Sequence, residues 1–458
     1  MKTFLRRSLV IMGGLTILLG LFHVVENYRG RRAWRLWKSA REAAGQTYDR
    51  AAFIPKAILD AENFAAAPIV AGVNDGRNPE AQWSLPGVFV NWPSAGDWRN
   101  GHPADYAAFA GELNGRSLEA FLGPRDAALD ALADAARRPS SRLNVDYLRP
   151  EEMPPLLSMR SRAKVLRLRA LARLQSGDSA AALEDVLTGL RMIQHLQQEP
   201  HVISQLLRMA YVNILLQPVW EGLRGHAWND AQLARLQAAL EPIDLVASMK
   251  LAWQFERCTA VTLWTKGAEE SPESFLSLSA DGTMPAGRFA RAAGRLLLPK
   301  GWVYQNLKAL DRAYEEQLIA VLDSDRHVVH EDLHRKAVAV FGSPERTPYS
   351  WAMAGFLPSL LGQNIRVARA QSGLDQARVA CALERYRLVR GSYPADLQGL
   401  VPTVLAEIPH DVVGGHPLRY VRLGSSYLLY STGWNGQDDG GKVDTDLEQG
   451  DWVWFTAK

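Results

Sequence analysis

The sequence predicts a mainly α-helical protein with one N-terminal transmembrane helix, an α-helical central domain and a small C-terminal α+β domain with antiparallel strands. Three observations carry this reading. An apolar run follows a short basic N-terminus, apolar residues recur at helical spacing through most of 117–389, and the composition turns to strands and turns after Val389. The chain has 458 residues, 47% of them apolar and 22% charged, which excludes a disordered, collagenous or polytopic membrane protein. Its 52 Lys and Arg against 49 Asp and Glu leave a net charge of +3, so there is no electrostatic case for a nucleic-acid binder. Two cysteines, Cys258 and Cys381, are too few for a disulfide scaffold or a CxxC zinc module. Both sit in helix-like runs and read as small buried residues.

The anchor comes first. Met1 to Arg7 is basic, and Ser8 to Val25 is almost wholly apolar, with His23 its only ionisable group. Residues 8–25 as a helix reach about 27 Å, enough for a thin hydrocarbon core. No small-x-small cleavage site follows in FHVVENYRG, so the run reads as an uncleaved single anchor rather than a signal peptide. The far flank carries Arg29, Arg31, Arg32, Arg35, Lys38 and Arg41 with Tyr28, Trp34 and Trp37. That composition suits either an interfacial amphipathic helix on anionic headgroups or a solvated basic face. The charge count alone puts the body in the cytoplasm, although a long domain can translocate regardless of its flanks.

Residues 50–110 are rich in Pro, Gly, Asn and Trp and read as an irregular surface segment, with short strands near Val88-Phe89-Val90. Helical spacing begins at Ser117 and stops at Pro139. Between Pro155 and Leu240, two apolar stripes flank Gly177-Asp178-Ser179, a helix stop followed by an N-cap. This hairpin resembles a tetratricopeptide helix pair, and no second copy follows at the 34-residue period. Further helices fill 241–340, interrupted by a Gly/Pro/Ser-rich loop from Gly267 to Gly287, and 341–352 is the best linker. The chain therefore divides into an anchor (1–27), a juxtamembrane basic helix with an irregular segment (28–115), an α-helical domain (116–345) and a C-terminal α+β domain (353–458).

One short motif looks like chemistry. His330-Glu331-Asp332-Leu333-His334 matches H-E-x-x-H, which on a helix puts two imidazoles on one face for Zn²⁺ while Glu331 activates the bound water. His327 would lie one turn earlier on that face. Against a zinc hydrolase, Asp332 and Arg335 are charged, no third ligand stands at a recognised spacing, and Glu331 and Arg335 pair as on a solvated helix.

The C-terminal segment reads as an amphipathic helix from about Leu357 to Val389, a Gly391 cap, and a hairpin of Pro417–Leu423 with Ser426–Thr432 joined at Gly424-Ser425. A polar loop precedes a last strand at Asp451–Thr456. The ordered pieces Gly391-Ser392-Tyr393-Pro394, Leu400-Val401-Pro402, Leu405-x-x-Ile408-Pro409-x-Asp411, Leu429-Tyr430-Ser431-Thr432-Gly433 and Asp444-Thr445-Asp446-Leu447 resemble the globular headgroup of type II secretion major pseudopilins. The resemblance covers about 90 residues. It implies a Ca²⁺-binding acidic loop, with Asp444 and Asp446 as ligands and Asp438, Asp439 and Asn435 as extra oxygens; the alternative is a solvated turn cluster. The N-terminus lacks the pseudopilin leader and its Phe-Thr-Leu-x-Glu helix, so the chain is not expected to assemble as an ordinary pseudopilin.

These readings lead to a membrane-anchored, non-enzymatic scaffold or accessory protein of a bacterial envelope or secretion-like assembly. It would contact the bilayer through residues 8–25 and protein partners through its helical body. Because pseudopilin heads work outside the cytoplasm, the resemblance implies an extracytoplasmic body on the inner membrane.

Overall fold

The computed structural model describes residues 2–71, 96–113, 117–149, 152, 157–270, 298–342, 347–350 and 358–455. The strand expected near Val88–Val90 and the loop expected from residue 271 to Gly287 lie outside them.

Helix α1 runs without a break over Lys2–Ala43, about 63 Å at the α-helical rise. Over residues 8–25 its apolar side chains face outward; Val10 is 70% exposed and Ile17 66%. A helix this apolar with no protein around it is consistent with a single-pass membrane anchor. Helix α8 (Val202–Arg224), by the same measures of length and apolarity, is mostly buried and belongs to the core.

Beyond Val25 the same helix leaves the apolar zone and packs on α11 (Lys300–Ala313). The helices touch at Gly30 and Gly301, where a Cβ on either residue would overlap the other helix's backbone. Gly301 N–H also donates to Asn27 Oδ1 at 2.7 Å. Trp34 buries its ring in this joint beside Leu307, and Trp37 Nε1–H donates to Asp311 Oδ2 at 2.7 Å. Of the aromatic stripe in residues 28–43, Trp34 and Trp37 are thus turned to α11, while Tyr28 stays exposed, and these residues continue the apolar half of the helix as a straight stem.

Between stem and core run short elements: α2 (Pro68–Ala71), α3 (Tyr106–Glu112), α4 (Leu118–Leu122) and α5 (Asp126–Ala136). Helices α6 (Leu157–Gln175) and α7 (Ser179–His195) form the expected hairpin. Gly177 takes φ +84°, and Asp178 caps α7 by accepting from Ala181 N–H at 2.9 Å. With α8, α9 (Asp230–Leu240) and α10 (Leu245–Glu270) they build the helical body. Helix α10 continues through Gly267 to Glu270, so the first residues of the loop expected over Gly267–Gly287 are helical.

After α11 and a π-helical extension (Tyr314–Ile319) comes a small hairpin, β1 (Leu322–Asp323) with β2 (Val328–Val329), where a helical stretch was expected before His330. Asp323 Oδ1 accepts from the amides of Asp325 and Arg326, and this Asx turn reverses the chain. Helix α12 (Glu331–Gly342) follows. Helix α13 (Pro358–Arg390) packs along α8, α9 and α10 and then against the C-terminal sheet, ordered β3 (Arg419–Leu423), β4 (Ser426–Ser431), β5 (Trp452–Trp454), all antiparallel. One continuous apolar core reaches from Phe64 to Trp454. Trp98 and Trp454 meet in it at 5.2 Å between ring centroids, and Gln376 Nε2–H donates to the Trp452 carbonyl at 2.7 Å.

The glycine contact generates a prediction. Gly301→Val should force α11 off α1 and lower stability by about 1–3 kcal/mol, the usual cost of overpacking. Gly13→Val, where nothing lies within 4 Å, should leave it unchanged. Thermal unfolding of the detergent-solubilised chain compares the two.

Candidate functional site

A cluster of buried and part-buried ionisable groups lies where β1–β2, the start of α10, the middle of α13 and the chain before β3 come together. His327 sits at the hairpin's turn with φ +56°. Its Nδ1 is 3.4 Å from Asp244 Oδ2 and its Nε2 3.6 Å from Asp375 Oδ2. Asp244 also accepts from Ala247 N–H at the start of α10, and buried Asp375 accepts from Gln371 Nε2–H one turn earlier on α13. His410 Nε2 contacts the His327 carbonyl at 3.2 Å. Next to it, Asp411 is fully buried and takes Ser431 Oγ–H, Thr432 N–H and Val413 N–H.

The electrostatics follow from this geometry. Burial works to lower His327, but the carboxylates of Asp244 and Asp375 outweigh it and hold the imidazole up at about 10. Burial pushes Asp411 up to about 6 against its hydrogen bonds, and nearby Asp375 pushes in the same direction. At neutral pH His327 is thus an imidazolium between two acids. It has no lone pair free to bind a metal or accept a proton. The cluster is a charged strut that ties a surface hairpin to the core.

A second strut sits about 13 Å further along α13. Glu384, buried at 2%, accepts from Arg387 Nη2–H at 2.6 Å and Tyr393 O–H at 2.9 Å, and its Oε1 lies 2.8 Å from His226 Nδ1. Burial would raise this carboxyl, but Arg387 and His226 keep it below the usual range. A cleft of about 250 Å³ beside it is lined by Trp220, Tyr427 and Trp454.

The structure separates the surroundings of the H-E-x-x-H side chains. Helix α12 begins at Glu331, so His330 precedes it, with Nε2 3.7 Å from Asp323 Oδ2. His334 is buried edge-on against Trp434, with no hydrogen bond to Nδ1, and burial pushes it down to about 4. Glu331 faces Arg335 at 3.5 Å, the expected i,i+4 pair. His327 is not on this helix at all, because the β-hairpin intervenes.

The acidic loop uses its oxygens on itself. Asp438 accepts from Tyr430 O–H and pairs with Arg419, and Asn435 Nδ2–H donates to Asp439. Asp444 accepts from Asp446 N–H, and Asp446 from Glu448 N–H. Among the described residues, no group of three or more His, Cys, Asp or Glu could hold a metal ion. Cys258 and Cys381 are both buried free thiols, and burial pushes Cys381 up to about 12.

The struts were not legible as sites. Asp375 and Glu384 stand on the apolar side of an amphipathic helix, and a charge in that position is the one signal that marks them.

The imidazole binds its proton more tightly folded than unfolded. Its contribution is therefore complete below about pH 6.5 and is lost as pH rises towards 10. His327→Gln should cost roughly 3 kcal/mol near pH 7, the low end for breaking a buried pair, and should flatten the wild-type decline between pH 7 and 10. Asp411 has the opposite charge and the same sign: its contribution is present below about 4 and lost as pH rises through about 6. Asp411→Asn should therefore gain on wild type across that interval, as urea midpoints at stepped pH would show.

Set against family models, curated proteins and solved structures, the chain matches none of them.

Proposed function

We propose that this chain is a non-enzymatic, membrane-anchored scaffold or accessory protein of a bacterial envelope or secretion-like assembly, acting through protein–protein contacts. The observation that carries this reading is where the buried charges go. Glu26 and Asp311 join the stem to the body, and Asp375 and Glu384 join the body to hairpin and C-terminal unit. Each holds one element to another, as a rigid interaction platform requires.

Two further features support it. The C-terminal order of helix, Gly391-Ser392-Tyr393-Pro394, hairpin and acidic loop resembles a pseudopilin headgroup, and with that likeness goes an extracytoplasmic body on the inner membrane. The α6–α7 hairpin carries a tetratricopeptide-like sequence pattern, a helix pair of the kind from which protein-binding repeats are built.

Topology and metal content test the reading. A periplasm-active phosphatase fused after Lys458 should be active, and a cytoplasm-dependent fluorescent fusion dark; the reverse pattern would place the body in the cytoplasm. Elemental analysis of the purified chain should find no stoichiometric zinc. One zinc per chain, lost in His330→Ala, together with hydrolysis lost in Glu331→Gln, would replace the scaffold with a hydrolase.

A further inference from the structure

The net charge of the chain is unevenly distributed. Lys2, Arg6 and Arg7 put +3 on the N-terminal flank, and residues 26–43 carry six Arg or Lys against two Glu, which is +4. With +3 overall, residues 44–458 hold a net charge of −4. The excess positive charge is thus confined to the anchor and the stem directly above it.

The structure gives this charge a shape. Between α1 and α11 lies an open cavity of about 670 Å³, lined by Tyr28, Arg29, Arg32, Leu36 and Trp37 from the stem and by Lys308 from α11. Lys308 is far away in sequence and reaches the groove only because Gly30 and Gly301 bring the two helices together. Its Nζ lies 5.7 Å from the centre of the Trp37 ring. Arg29 donates to Glu26 but keeps a side chain 57% exposed. Arg32 is exposed and has no ion pair or side-chain hydrogen bond among the described residues. Tyr28 and Leu36, 60% and 62% exposed, add apolar walls.

Position along the helix decides what these cations face. The apolar run ends at Val25, so Arg29 and Arg32 stand about 6 and 10 Å above the hydrocarbon edge. The headgroup layer occupies roughly the first 5–8 Å there. A guanidinium reaches downward from these positions easily, so the lower end of the groove lies at the level of the lipid phosphates; its upper end, at Trp37 and Lys308, stands about 18 Å above the hydrocarbon edge. Aromatic and basic side chains at this depth are the usual companions of anionic headgroups, and each nearby cation contributes about 1 kcal/mol of attraction.

We propose that the lower end of the α1–α11 groove binds the headgroup of an anionic phospholipid, its phosphate held between Arg29 and Arg32, with Lys308 adding positive potential from the upper end of the groove. The proposal rests on the membrane anchor alone and is independent of the scaffold reading. The lipid would bridge the two helices at the exposed side of their joint, next to the Gly30–Gly301 contact and the Trp34–Leu307 packing, so its binding should stabilise that joint.

The test uses the full chain in a neutral detergent. Phosphatidylglycerol should raise the unfolding midpoint by several degrees, phosphatidylcholine should not, and 0.5 M salt should shrink the shift. Arg32→Gln with Lys308→Gln should unfold at the wild-type midpoint without lipid and lose at least half of the shift. Arg32→Lys with Lys308→Arg should keep it. Equal shifts from the two lipids, or a full shift in the glutamine variant, would overturn the proposal. A full shift from glycerol 3-phosphate alone would also overturn it, by showing that a soluble anion suffices. If the glutamine variant unfolds early, native mass spectrometry of the lysine–arginine pair decides. Retention of phosphatidylglycerol over phosphatidylcholine supports the proposal, and no preference ends it.

Discussion

A carboxylate buried at the end of an apolar run must be fully satisfied, and Glu26 is. It lies one residue past the apolar run, is 4% exposed, and takes Arg29 Nη1–H, Trp302 Nε1–H and Tyr349 O–H. Leaving such a group buried without partners would cost several kcal/mol. The donors come from α11 and from the chain before α13, so Glu26 obliges those segments to gather at the foot of the stem. Once α11 is seated there, Asp311 one turn from its end receives Trp37 and Tyr48, and Arg257 of α10 is drawn alongside. The anchor is therefore joined to the helical body through charged and polar contacts as well as through packing.

The same logic recurs along α13. A helix of 33 residues with helices on one side and a sheet on the other would slide easily if its contacts were only apolar. Gln371, Asp375, Gln376 and Glu384 are buried on it, and each bonds to a defined partner. Hydrogen bonds are directional and apolar contacts are not, so these groups fix the register of the helix. The small residues Gly373, Ala377, Ala380 and Cys381 let neighbours approach closely; a Cβ on Gly373 would press on Trp98 at 2.7 Å.

Much of this fold is legible in the sequence where a local rule and the tertiary structure agree. The apolar run of residues 8–25, the Gly177-Asp178-Ser179 break and the Gly424-Ser425 turn each act within a few residues, and each appears where expected. Helix α13 spans Pro358–Arg390 against an expected 357–389. The hairpin before His330 was hidden because its strands have two residues each, too short for a period, while H-E-x-x-H beside it suggested a helix. The stem's course was hidden as well: Trp34 and Trp37 suit a membrane surface and a helix partner equally, and only contact with α11 decides. The struts depend on residues far apart in the chain, such as His327 with Asp244 and His226 with Glu384, and no local pattern encodes such a meeting. Around His330 the sequence reported residue types correctly and could not report that His330 and His334 have different surroundings.

The unbroken passage of α1 from its apolar half into the protein has a mechanical consequence. Eighteen residues separate the last apolar position from the end of the helix, a rise of about 27 Å. A flexible linker of that length would let the body tumble. A stiff helix clamped to α11 instead fixes the direction of the apolar half relative to the body. Were that half embedded in a bilayer, its tilt would be the body's tilt as well, and the body would hold one side towards the membrane plane at a constant height.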